Sequence, residues 1–497
     1  MRAQARERAG PQERERKSVK VLHLSLVVCI VLGAALLAGC GDERKLTSSS
    51  PEALKAYQEG MTAWEKFYYP EAKKAFETAT TLEPGFAMAW CRLAMVNAAA
   101  RNMRAADSAM LHAIARAPSA SRREQLFISM WSRRLKYDNA GAAAAADSLL
   151  RFYPDEKEGY LFRGNMAEEL DKDYDTAVRY YQKAVDADSG YAQAVMSLGY
   201  AYSNLGDQQR ALEQMQRYIS LAPDAADPRA SYADLLVRAG RYDEALQQYE
   251  KSLQLKPDYW YSIRQIGNIY ETLGRLHAAE GQFHRSLELL PPSPELEASH
   301  LVGDGSLNMK RARWADAAAQ FRKALAIDSV NSMAAYGLVN ALAKLGQFAA
   351  ARENIEAIRT ELEKRNLTRS PAMLGLFLMR ARLLTQEKHL QEALATCDSA
   401  LEFSTPLSRP SVYRQMAEIQ LALGSFENAL DACEEALSVN PNLPDILLTL
   451  TRVYHRKGDV QMTVEIGSRL LALWNEADPD FEDRNEVLRI LGKKPAV

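Results

Sequence analysis

The chain has 497 residues, 47% hydrophobic and 25% charged, with 62 Lys+Arg against 64 Asp+Glu. These proportions fit a folded soluble protein and exclude both a disordered tail and a polytopic membrane protein. The near balance of charge offers no basic stripe, so no nucleic-acid partner is expected.

In chain order, the first feature is the apolar run Val21 to Leu37, which follows Arg2, Arg6, Arg8, Arg14, Arg16, Lys17 and Lys20. A basic region, an apolar stretch and small residues at a cut site describe a secretory signal peptide. Its end, Leu37-Ala38-Gly39-Cys40, resembles the bacterial lipobox. That resemblance implies that residues 1–39 are a lipoprotein signal peptide and that the mature chain begins at a diacylated Cys40. Acyl chains add roughly 0.8 kcal/mol per buried methylene, and two or more anchor stably where one does not. An uncleaved membrane anchor is the alternative. Either way the remainder would face the periplasm. In enteric bacteria an Asp directly after the lipidated Cys favours the inner membrane; here Gly41 follows, and the outer membrane is the expectation.

Removing residues 1–39 leaves the chain mildly acidic. Of five cysteines, Cys91, Cys397 and Cys433 would remain, an odd set without CxxC spacing. That argues against a disulfide framework and gives a zinc or redox motif no footing. Residues 40–52 are polar and lack periodicity, which reads as a lipidated tether. It ends with Ser50 as helix cap and Pro51 at the first helical position.

From residue 53 an internal repeat dominates. YAQAVMSLGYAYSNLGDQQRALEQMQRYISLAPD from Tyr191 and DPRASYADLLVRAGRYDEALQQYEKSLQLKPD from Asp227 share a small residue, a Gly turn, an Ala, a large residue and a Pro in the same order. The pattern resembles the tetratricopeptide repeat, a helix-turn-helix unit of about 34 residues. Small residues at its eighth position include Gly60, Gly199, Ala233, Gly267 and Gly305; Ala211, Ala245, Ala279 and Ala317 are among those at its twentieth. Turn glycines fall at Gly206, Gly240, Gly274, Gly346, Gly424 and Gly458, where left-handed dihedrals cost no Cβ clash. Aromatic residues such as Phe76, Tyr181, Tyr249, Phe283 and Phe321 fill the space beside the small ones.

The register places repeat starts near 53, 87, 121, 158, 192, 226, 260, 298, 332, 374, 410 and 444, the third and twelfth degenerate. Insertions fall at 291–294 and 364–373, and extra residues precede Asp175. The resemblance implies an all-α, right-handed α-solenoid superhelix of about 12 repeats over residues 53–477. A C-terminal capping helix and tail would occupy 478–497.

Chemistry has little room here. The interruptions are far shorter than a domain of about 100 residues, and no GxxxxGK[ST], HExxH or GxSxG pattern occurs. No enzyme activity, cofactor or small-molecule substrate is expected. His277 and His284 could share a helix face, but the sequence places no carboxylate or third ligand beside them, so no metal is expected. Cys397 and Cys433 take the place of the aromatic plug and read as buried small hydrophobes.

In the tetratricopeptide family the first helices line a concave groove that takes peptides. The groove positions of the family fall on Tyr200, Asn204, Asp234, Arg238, Tyr261, Arg264, Asn268 and Glu271. Further on they fall on Tyr336, Asn340, Arg382, Arg414, Glu418 and Arg452. Tyr and Arg are enriched at interface hot spots. Arg264 and Asn268 match the start of the carboxylate clamp of chaperone-binding members, but Gly303, Met333 and Gly337 replace the rest, so the clamp is absent. The resemblance implies a membrane-anchored, non-enzymatic scaffold in the bacterial cell envelope. It would bind protein or peptide partners in its groove within an assembly, secretion or export complex. The alternative is an adaptor or regulator of a cell-wall enzyme, such as a peptidoglycan hydrolase or synthase.

Overall fold

The computed structural model describes residues 45–494 except 101, 290–293, 330, 365–371 and 439. The signal segment, Cys40, and most of the inserts at 291–294 and 364–373 lie outside the described residues. Among the described residues there is no strand, and no helix is long and apolar enough to cross a membrane. Among the described residues the helices fall into twelve consecutive pairs followed by one further helix, Glu482–Ile490. The fold is an all-α solenoid. The chain divides into two compact units, residues 1–163 and 164–497.

Local sequence explains the pairs. Ala245, Ala279 and Ala317 are wholly buried where two helices cross, and a Cβ on Gly267 would stand 2.6 Å from the ring of Phe283. A small residue on one helix therefore makes the seat for an aromatic side chain on the other. The third pair, Arg122–Leu135 and Asn139–Phe152, forms despite its degenerate sequence, with a capping box between Ser121 and Glu124 fixing its start. Where a turn lacks Gly, Phe67, Tyr137, Lys172, Ala312 and Lys388 take positive φ themselves. The left-handed region costs such residues roughly 1–2 kcal/mol each. The extra residues before Asp175 are taken up by a π-helical turn, Ala167–Asp171, closed by Lys172.

The first unit is organised around Arg92. Its side chain is 3% exposed and makes a bidentate pair with Glu158 at 2.8 and 2.6 Å. It also donates to the Tyr57 hydroxyl at 3.3 Å and stacks over Phe127 at 4.6 Å. Ser50 caps the first helix by accepting from Ala53 N–H, with Pro51 behind it. The residues just before differ from the expected tether. Thr47 N–H donates to Glu124 at 3.0 Å and Ser49 N–H to Glu83 at 2.8 Å, so from Thr47 onward the segment is pinned to the repeats.

The second unit closes on its own middle. Trp474 Nε1 donates to the carbonyl of Thr272 at 3.2 Å, and Asn442 Nδ2 to that of Gly240 at 3.2 Å. Lys310 pairs with Asp483 at 3.2 Å and Asp445 at 3.4 Å. Leu276, Phe283 and Leu307 share one apolar core with Trp474, Phe481 and Val487. The end of the chain is thus more than the expected cap. Glu486 of the last helix pairs with Arg452 of the twelfth repeat at 2.6 Å, while the residues leading into that helix cover the seventh.

Candidate partner-binding face

The first helices of the second unit carry most of the polar side chains singled out from the sequence, and they meet side chains one repeat away. Tyr200 and Tyr261 donate to Asp234 Oδ2 at 2.7 and 2.8 Å, and Tyr249 donates to its other oxygen. Burial raises the Asp234 carboxyl above its ordinary value, opposed by these three hydroxyls. Burial and the Asp234 charge together hold the Tyr200 phenol well above its own. Asp227 lies in a second cage, accepting from Tyr259 at 2.7 Å and Tyr218 at 2.8 Å, and burial pushes it up to about 6.

Beside the first cage, Arg238 stacks on Tyr200 at 5.3 Å and donates to Ser203 and Asn204 at 3.1 and 3.2 Å. Asn204 in turn donates to Glu168 at 2.9 Å, and Tyr181 to the same carboxylate at 2.8 Å. Burial raises the Glu168 carboxyl. Glu168 is brought there by the π-helical turn, a distortion that is frequent at functional sites. Tyr200, Asn204, Arg238 and Glu168 line a cavity of about 510 Å³ together with Leu374, Phe403 and Leu407.

Arg264, Asn268 and Glu271 line a smaller cavity of about 140 Å³ with His300 and Met333. Burial lowers the Arg264 guanidinium below its ordinary value, and burial raises the Glu271 carboxyl, which accepts from Ser306. A third group holds Glu418 between Arg382 at 3.5 Å and Arg414 at 3.4 Å. Burial alone would raise the Tyr336 phenol, but these two guanidinium groups and Asn340 outweigh it and leave it below the ordinary value.

The candidate residues therefore form three clusters, and several expected anchors are engaged within the chain. Tyr261 and Asp234 belong to a cage, and Arg238, Arg382 and Arg414 each face neighbouring polar groups. Sequence reading missed Glu168, Asp227 and Lys310, and gave Tyr181 a packing role only, without its hydrogen bond to Glu168. The signal was present: Tyr200 and Asp234 are 34 positions apart, as are Arg452 and Glu486. Equal positions in successive repeats stack on one another, so complementary residues at that spacing satisfy each other. Cys91, Cys397 and Cys433 are buried and free, and burial pushes each thiol up to about 12, which leaves them unreactive. The histidines differ from expectation, because carboxylates do stand beside them. His284 lies with His300 and Asp304, and His277 with Asp478 and Asp480.

Comparison with known proteins finds the repeat itself. A family model of the tetratricopeptide repeat matches residues 138–192, 171–228 and 305–366, a second such model matches 410–443, and a TPR-repeat model matches 233–274. Among solved structures, MamA is 28% identical over 32% of this chain and 93% of its own, with a TM-score of 0.28. A tetratricopeptide repeat protein from Parabacteroides merdae is 17% identical over 53% and 98%, with a TM-score of 0.41. Yeast Tom70 is 14% identical over 84% and 99%, with a TM-score of 0.42. No curated protein matches.

Proposed function

Because the chain is a tetratricopeptide-repeat protein, we propose that it serves as a lipid-anchored, non-enzymatic scaffold in a bacterial envelope, holding a protein partner on the first-helix face of its second unit. The lipobox at Cys40 supports the anchor and the periplasmic side. The observation that carries the binding reading is the cavity of about 510 Å³ beside the first helices. Its walls mix Tyr, Asn and Arg with the apolar Leu374, Phe403 and Leu407, the composition that seats a partner's side chain and fixes its polar edge. The buried carboxylates and phenols near it are capped by one another, which suits a rigid rim.

A photo-crosslinking residue at Leu407, which is 43% exposed at the cavity, should join a discrete envelope partner. One at Gln247, on a second helix, should not. Substituting Glu169 and Lys172, exposed at the same rim, with Ala should abolish the adduct. Equal crosslinking from both positions, or an adduct unchanged by the rim substitutions, would place the partner elsewhere.

A further inference from the structure

His284 stands on the helix Leu276–Glu288, and His300 and Asp304 stand on the helix that follows, Pro294–Lys310. The i,i+4 spacing of His300 and Asp304 sets both on one face, with Nε2 and Oδ2 3.6 Å apart. The ring of His284 meets that of His300 edge-on, centroids 4.9 Å apart at 85°. One ligand atom from each of the three lies within 4.8 Å of the other two. His300 Nδ1 is buried without a hydrogen-bond partner, an uncommon state for an imidazole nitrogen.

We propose that His284, His300 and Asp304 bind a divalent transition-metal ion, and that zinc is the ion they suit. Two imidazoles and one carboxylate are a zinc donor set; magnesium and calcium demand oxygen ligands throughout. Tetrahedral zinc, with bonds of about 2.0–2.1 Å, sets its ligand atoms roughly 3.3 Å apart. The His300 and Asp304 atoms are already near that spacing. The remaining closure falls to His284, whose side chain is exposed. Its exposure also leaves the fourth position to water.

The second histidine cluster lacks this freedom. Asp478 is engaged by both the backbone N–H and the ring of His277 at 2.8 and 2.9 Å, and Asp480 pairs with Arg311 at 3.1 Å. The proposed ligands straddle the PPSP insert that breaks the repeat phase. An ion there would tie the second helix of the seventh repeat to the first helix of the eighth.

The test is a zinc titration of the untagged, metal-stripped full chain by calorimetry, with cobalt(II) absorption and melting temperature as further readouts. Wild type should bind zinc and melt higher with it. His284→Ala and Asp304→Asn should each weaken binding by more than about 10–100-fold, the loss that disturbing even an outer partner of a metal site causes. His277→Ala should leave binding unchanged. Helical circular dichroism of His284→Ala, an exposed position, guards against a folding artefact. The proposal is overturned if wild type gives neither heat nor a melting shift, if binding survives both ligand substitutions, or if His277→Ala removes it equally.

Discussion

Asp478 donates its backbone N–H to the carbonyl of Gly274 at 2.9 Å. Gly274 has φ +74, and a Cβ there would stand 2.3 Å from the ring of Phe481. The glycine thus serves the turn of the seventh repeat and the docking of the chain's end at once. Trp474, 1% exposed and edge-on to Phe481 at 5.0 Å, fills the same junction. Trp474→Ala should cost about 3–5 kcal/mol, as large-to-small changes in a tight core do. Limited proteolysis should then cut after residue 474, where wild type resists. A variant as resistant as wild type would show that the docking contributes nothing to holding the end in place.

The pH dependence of stability has a definite sign. Asp227 sits at about 6 in the fold against an ordinary 3.8, so the folded chain holds an extra proton between those values. Its contribution is fully present below about pH 4 and is lost as pH rises through 6, a change of up to about 3 kcal/mol. Lys310 acts oppositely on Asp445, holding it well below its ordinary value against its burial. That stability is present above about pH 4 and lost below it. Denaturant unfolding of Asp227→Asn should therefore show a flatter pH profile than wild type between 4 and 6. Parallel profiles would remove Asp227 from the account.

In the first unit, burial alone would raise the carboxyl of Glu158, but Arg92 outweighs it and holds the group below its ordinary value. Arg92→Ala strands that carboxylate, and breaking a buried pair typically costs about 3–5 kcal/mol. Adding Glu158→Gln should recover part of the loss. If the double variant is no more stable than Arg92→Ala, the stranded charge is not the cause.

Cys40→Ser tests the anchor. With the acylated thiol gone, uncleaved precursor should accumulate and labelling by a clickable fatty acid should vanish. Labelling that persists in the variant would end the lipoprotein reading.

The helix pairs were legible because their causes are local. A Gly or Ala facing an aromatic side chain, as Gly267 faces Phe283, writes the 34-residue period directly into the sequence. The polar face was legible only in part. Tyr200, Asn204 and Arg238 could be assigned to first helices by position, but whether a hydroxyl is spent on a carboxylate depends on the next repeat. Asp234 takes three of them. The docking of residues 474–481 was hidden altogether, because Trp474 and Thr272 are 202 positions apart and no periodicity links them. The partners of the histidines were hidden for a similar reason: His284 and His300 fall on either side of the insert, where the register shifts.

A solenoid is wired locally, each repeat leaning only on its neighbours, so its ends ordinarily fray first and independently. The contacts of Trp474, Asp478 and Phe481 with the turn at Gly274 rewire the second unit, because its last repeat cannot loosen without uncovering the seventh. Backbone amides around Leu276 and around Leu470 should therefore exchange with solvent through one shared opening, as a single foldon assembled from opposite ends of the sequence.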